Sequence, residues 1–311
     1  MSDASISAGG TIRKSRKGRK KANPLATTAV SQLTVEPVPP VIASIAIPPR
    51  SSFLHSIQRE LESDAPDSAK IIYDVGLDVT MTVALLKAVN GVTYGRGQPV
   101  DTLEQAVDRV GPSQLVAILA DLLARNVLNG NGPNLTRFWD VSAKRAYAVR
   151  ELALGLGEVE SDQAQTFGLF CDVGIPFLLQ RFTGYGETLK QANSSTNQSF
   201  TDVEHAIHNT DHALVGALMA RAWGLSPTVY TAIRLHHDYD IFKDPKLPGE
   251  VARLVAMGLL AEMAIQQFAG LNSTTEWDKA GEWAVGTLVL SENDVAEWVE
   301  RLHEGFASGH A

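Results

Sequence analysis

From Phe53 onward the apolar side chains recur three and four residues apart, the period of a helix with one buried face. Phe53, Leu54, Ile57 and Leu61 follow a Ser51-Ser52 cap, and Asp78 caps a helix carrying Val79, Val83, Leu86 and Val89 that stops at Asn90-Gly91. Asp101 opens a third with Leu103, Ala106, Val107 and Val110. Gly111-Pro112 interrupts it, and Ser113 restarts the pattern with Leu115, Val116, Leu119 and Leu122. Asn129–Asn134 reads as a loop and Phe138–Leu156 as a long amphipathic helix. Thr201-Asp-Val-Glu204 reads as a capping box, in which hydroxyl and carboxylate satisfy reciprocal backbone donors. Trp223-Gly224 stops one helix, and Ser226-Pro227 starts the next with proline in the first turn. Val251–Phe268 and Ser291–Phe306 complete the set, and no hairpin or internal repeat interrupts it. The pattern predicts an all-α fold.

Before residue 48 the pattern fails. Residues 1–37 hold Ser, Thr, Gly, Ala and basic side chains without an aromatic, a composition that cannot pack a core and reads as disordered. Val41–Ile47 lies between proline pairs and reads as an extended arm. Residues 306–311 read as a short C-terminal tail. The net charge of −8 is divided unevenly: Arg13, Lys14, Arg16, Lys17, Arg19, Lys20 and Lys21 face only Asp3 and Glu36 before residue 48, giving +5 there and leaving −13 beyond. Such a tail suits an anionic membrane surface, an acidic protein face including this chain's own, nucleic acid, or mere solvation; the acidic body argues against nucleic acid. No run approaches the roughly 18 apolar residues of a membrane span. Cys171 is the only cysteine, which excludes an intrachain disulfide and a cysteine-rich zinc site and makes the cytoplasm the default compartment.

An ordered set of segments resembles the HDOD family, the HD-related output domain of bacterial signalling proteins. It runs from Asp78–Asn90 with Gly91-Val-Thr-Tyr94, through Leu103–Gly111, Trp139-Asp-Val-Ser142 and Phe167-Gly-Leu-Phe-Cys-Asp-Val-Gly174. It continues through Asp211-His212-Ala213, Gly216-Ala217, Trp223-Gly-Leu-Ser-Pro227 and Ile233-Arg-Leu-His-His237. The resemblance implies two packed helical bundles, about 48–130 and about 131–305, the second built like HD-domain phosphohydrolases. Those enzymes hold a metal with a first His, an adjacent His-Asp pair and a later Asp, helped in some subgroups by further histidines.

Here Ser142 stands where the first His falls, Cys171 replaces the His of the pair, and Val251–Thr275 contains no Asp. Asp172, His212, His236 and His237 survive, so the resemblance leaves a residual pocket of Ser142, Cys171, Asp172, His212, His236 and His237 with no catalytic residue, metal or cofactor. The residues also admit blander roles. Cys171 has no basic neighbour in sequence and reads as a core hydrophobe. Asp172 reads as a helix tie and His212 as a packing histidine, while His236 and His237 diverge by about 100° on a helix, so that only one faces inward. His205, His208 and His212 share a helical stripe that Asn209-Thr210-Asp211 breaks. The implied function is non-enzymatic bacterial signal transduction through contact with a signalling protein. Alternatives are a nucleotide or small-ligand sensor using the residual pocket, and a degenerate metal-dependent phosphohydrolase using Asp172, His212 and His237.

Overall fold

Serine and aspartate caps set several helix starts. The computed structural model describes residues 57, 59–60, 67–76, 79–91, 94, 98–128, 135–223, 225–271 and 275–308. The tail with its Arg13–Lys21 cluster, the arm, the Asp78 cap, most of the Phe53–Leu61 helix and the 129–134 loop lie outside these residues. Thirteen α-helices fill the described part, with no strand among them.

The N-terminal bundle is α1 (Ser68–Gly76), α2 (Val79–Asn90) and α3 (Leu103–Leu128). Asn90 ends α2 as expected and ties the returning chain by two hydrogen bonds: its Nδ2 donates to the Val100 carbonyl at 2.7 Å and its Oδ1 accepts from the Val100 N–H at 2.8 Å. Gly111 breaks α3 with φ of 73°, a left-handed value that costs glycine little, where the sequence pattern places the interruption. The second bundle runs α4 (Thr136–Leu156), α5 (Ser161–Phe170), α6 (Gly174–Arg181), α7 (Tyr185–Ser194), α8 (Phe200–His208), α9 (His212–Ala222) and α10 (Pro227–Leu235). A 3-10 turn, Tyr239–Lys243, leads to α11 (Gly249–Phe268), α12 (Thr275–Leu288) and α13 (Glu292–Ala307). One apolar core is continuous across both bundles, from Ile71 and Leu119 to Leu152, Val215 and Leu260.

Two local expectations are corrected. The cap of α8 is Ser199, whose side chain accepts from the Asp202 N–H; Thr201 lies inside the helix, and Glu204 is fully buried instead of closing a box. Starting two residues early turns Glu204 toward the core. At the other end, α13 runs through Ala307 and buries Phe306, so helix occupies the start of the stretch read as a C-terminal tail. One described helix, α11, is long and apolar enough to cross a membrane by composition, although the residue pattern suggested no such span; 67% of its apolar window is buried inside the fold. It is the central core helix, packed on α4, α5, α10, α12 and α13.

Candidate functional site

Two glycines bring the polar centre together. A Cβ on Gly168 would stand 2.7 Å from the Arg145 carbonyl oxygen, so only glycine lets α5 lie this close to α4. A Cβ on Gly174 would collide with the His212 carbonyl, so α6 can approach the start of α9 only without one. Between these contacts the turn Cys171-Asp172-Val173 presents Asp172 to α4 on one side and to α9 on the other. Asp211 caps α9 by accepting from the Leu214 N–H at 2.7 Å, which fixes His212 in its first turn.

Asp172 is the hub. Arg145, 5% exposed, donates through Nη2 to Asp172 Oδ2 at 2.7 Å and to Glu262 Oε2 at 2.6 Å. Burial opposes ionisation of Asp172, but Arg145 and the hydrogen bonds of His212 and His236 outweigh it and hold the carboxyl well below its usual range. The other carboxylate oxygen, Oδ1, lies 3.4 Å from His212 Nε2 and 3.3 Å from His236 Nε2, and these two nitrogens are 3.1 Å apart. Each imidazole is anchored from behind. His212 Nδ1 donates to Glu204 Oε2 at 2.7 Å, and Tyr185 donates its hydroxyl hydrogen to the other oxygen of Glu204. His236 Nδ1 donates to the Ile233 carbonyl at 2.7 Å. With both Nδ1–H groups used, both Nε2 atoms and one carboxylate oxygen meet at a point, and each Nε2 holds a proton there or, on losing it, offers a lone pair.

Burial opposes protonation of His212 and His236, but Glu204 and Asp172 beside His212, and the Cys171 sulfur and Asp172 beside His236, override it and shift both upward. His237 behaves oppositely. Burial and the neighbouring His236 push it down to about 4, and it sits neutral with Nδ1 3.0 Å from Glu276 Oε2 and its ring stacked on Phe200 at 4.9 Å. Glu276 is held ionised at about 2: burial opposes this, but His237, Lys279 and Tyr239 prevail.

Asp172, His212, His236 and His237 each offer a donor atom within 4.8 Å of the others. An ion about 2.0–2.2 Å from each of three ligands places those ligands roughly 3.0–3.6 Å apart, and the Asp172–His212–His236 triangle has that size. Anchoring of the far imidazole nitrogen by a carboxylate or carbonyl is the usual support of a metal-binding histidine. Asp172, Glu204 and Glu262 against Arg145 leave two negative charges, which one divalent cation or two imidazolium protons would balance. The residues therefore fit a divalent ion. The guanidinium on Asp172 competes with it.

These groups floor a cavity of about 360 Å³ walled by Phe138, Val141, Ile175, Leu179, Leu189 and Phe200. Of the residues singled out in the sequence, Cys171, Asp172, His212, His236 and His237 line it; Ser142 is buried on α4 and does not. The divergence expected of His236 and His237 does not occur. Helix α10 ends at Leu235, His237 falls in the following turn, and the two rings meet with centroids 4.2 Å apart. The stripe of His205, His208 and His212 is indeed broken, by Asn209 in a left-handed cap and Asp211 opening the next helix. Cys171 gains charged neighbours that its sequence surroundings lack, Arg145 and His236. Arg145, Glu204, Glu262, Tyr239 and Glu276 were missed. Glu262 lies in the stretch searched for Asp alone; Arg145 sits three residues beyond Ser142 on the same helix, a spacing that could have flagged it.

A family model described as the HDOD domain matches residues 47–239. A curated relative is an uncharacterised protein of Treponema pallidum (strain Nichols), 27% identical over 229 residues, which are 72% of this chain and 43% of that protein; the chain thus spans less than half of that relative. Among solved structures, an HDOD domain protein of unknown function from Geobacter sulfurreducens is 21% identical, covers 92% of this chain and 95% of its own, and superposes with a TM-score of 0.59. A Shewanella amazonensis SB2B protein named as a phosphohydrolase is 18% identical over 93% and 97% of the two chains, with a TM-score of 0.59. A Marinobacter aquaeolei VT8 protein named for signal transduction is 16% identical over 92% and 63%, with a TM-score of 0.64. At these identities the structures share the fold.

Proposed function

The chain belongs to the HDOD family, and from that premise we propose that it is a non-enzymatic regulatory module of bacterial signal transduction, acting through contact with a signalling protein. The observation that carries this reading is Arg145, whose Nη2 bridges Asp172 and Glu262. A guanidinium cannot be deprotonated in a protein, so it sits permanently on carboxylates that a hydrolytic metal centre would need. The cavity is then a self-neutralised remnant that holds helices α4, α5, α9, α10 and α11 in register. The basic cluster Arg13–Lys21 fits an anionic surface and would localise the module near it.

A second reading has its own support in the converging donors. Asp172, His212 and His236 would hold a divalent ion, with Glu204 and the Ile233 carbonyl orienting the imidazoles. Such an ion supplies Lewis-acid activation of water. One experiment separates the readings: elemental analysis of protein purified without chelator, paired with turnover assays on phosphomonoesters, phosphodiesters and cyclic dinucleotides in added Mn, Fe or Zn. The regulatory reading expects no turnover. Turnover that disappears in a folded Asp172→Asn protein would replace it with the hydrolytic one.

A further inference from the structure

An open groove of about 850 Å³ runs between the last turns of α11 and the outer face of α13. Its floor is apolar: Met263 and Phe268 come from α11, and Val295, Val299 and Ala307 from α13, with Phe268 left 41% exposed. His303 is turned inward and donates through Nε2 to the Ala264 carbonyl at 2.8 Å, so its ring forms part of the wall. A phenylalanine this exposed beside part-buried valines is apolar surface that the fold itself leaves uncovered.

The rim carries one sign of charge. Glu292, Glu300 and Glu304 border the groove and no lysine or arginine does; none of the three has a cationic partner among the described residues. Glu187 and Asp240, exposed elsewhere, each keep a cation of their own, Lys190 at 2.7 Å and Lys243 at 3.1 Å. An apolar floor between unpaired carboxylates fits a run of lysines and arginines, whose methylene stems cover apolar surface while their charged heads reach the rim. A purely apolar segment would leave the carboxylates uncompensated, and a compact metal cation would leave the floor bare.

This chain contains such a run. Arg13–Lys21 places seven cations in nine residues, ahead of a body that carries −13. We propose that Arg13–Lys21 docks in the α11–α13 groove of its own chain, with the lysine and arginine stems on the floor and their charges on Glu292, Glu300 and Glu304. The lengths agree. Glu292 to Glu304 spans about 18 Å of helix, which about six residues of extended chain cover. Thirty-six residues separate Lys21 from Ile57, the first described residue. That much chain reaches up to about 120 Å, whereas a domain of this size has a radius of gyration of roughly 18 Å. Exposed ion pairs are individually weak, but a tethered segment meets its site at an effective concentration of about a millimolar, so a millimolar intrinsic affinity already leaves it about half docked. A docked cluster is withheld from any external anionic surface. That consequence rests on the localising role proposed above; the docking itself does not.

The test is zero-length carbodiimide crosslinking of the dilute full chain at low salt, read by peptide mass spectrometry, with limited trypsin digestion as a second readout. Lys14, Lys17, Lys20 or Lys21 is expected to join Glu292, Glu300 or Glu304 within one chain, and more often than it joins the exposed controls Glu187 and Asp240. The variant Glu292→Gln/Glu300→Gln/Glu304→Gln, changed only at exposed positions, should have its tail cut by trypsin at least about twofold faster than wild type, as release of a half-docked segment requires. Ala296→Trp, also at an exposed position, fills the groove and leaves every carboxylate, and should lower crosslinking and protection together. The proposal is overturned if crosslinks spread evenly over the control acids, or if trypsin cuts the tails of wild type and the triple variant at the same rate. Crosslinking and protection that survive Ala296→Trp would reduce the contact to bare charge attraction and overturn the groove. Crosslinks that join labelled to unlabelled chains in an isotope-mixed sample would assign the groove to a second copy, which also overturns it.

Discussion

Replacing Arg145 with methionine tests the charge arrangement at the histidine centre. Methionine keeps the unbranched stem and removes the guanidinium, so Asp172 and Glu262 lose their shared cation while the volume changes little. Breaking a buried ion pair from one side costs about 3–5 kcal/mol, because a desolvated charge is left behind. The lower end applies here: the Glu262 side chain keeps 28% exposure and can be hydrated, and His212 and His236 still face Asp172. A loss of about 3 kcal/mol moves the unfolding midpoint by roughly 6–12 °C for a domain of this size. The pH dependence has a definite sign. Asp172 has its folded-state carboxyl lowered, so its contribution is present above the unfolded value near about 4 and fades as pH falls through the folded one. The gap between wild type and Arg145→Met is therefore full at pH 7.5 and narrows below about pH 4. Urea denaturation across that range, with chelator present so that no metal compensates, measures it. Adding Glu262→Gln to Arg145→Met restores part of the loss by removing one unpaired charge. A single variant within about 1 kcal/mol of wild type at pH 7.5, or a gap constant to pH 3, refutes the reasoning.

Other positions give independent checks. Asp211→Ala removes the side chain that accepts from the Leu214 N–H and should cost about 1–2 kcal/mol by thermal melting, whereas a neutral result would mean α9 does not depend on its cap. Gly174→Ala pushes a methyl into the His212 carbonyl, and a loss of at least about 3 kcal/mol in urea, or failure to fold, is expected; a tolerated alanine would contradict the close approach. Cys171 is 4% exposed yet lines the cavity, so a small methylthiolating reagent should modify native protein while a bulky aromatic disulfide reacts only in denaturant. Equal rates for the two reagents, read by mass spectrometry, would show that the cavity is not the route.

The helical period is a local property, and it carries α2, α4, α11 and α13 almost to their ends and places the break of α3 at Gly111. The pairing of Asp172 with His212 followed from resemblance, since nothing local relates residues forty apart. Glu204 shows the opposite failure. A cap reading based on Thr201 makes it the carboxylate of a capping box, whereas the cap at Ser199, two residues earlier, turns it into the buried anchor of His212. His236 and His237 depended on where α10 stops, the least legible feature of any helix from sequence, and one residue of difference there decides whether both reach the cavity. Arg145, Glu262 and Glu276 come from three separate helices, and their convergence is a property of packing alone.

Helix α11 reaches the core late. The chain leaves the ribosome N-terminus first, and α4 is complete at Leu156, roughly ninety residues before α11 begins at Gly249. At about 5–20 residues per second, the faces of α4 and α5 that rest on α11 wait about 5–20 s for their partner. During that interval Arg145 has Asp172 but not Glu262, and the one described helix long and apolar enough to cross a membrane has not yet been made. Nascent chains arrested before residue 249 should therefore be the form on which chaperones and proteases act most strongly, with resistance arriving abruptly once Phe268 has cleared the exit tunnel.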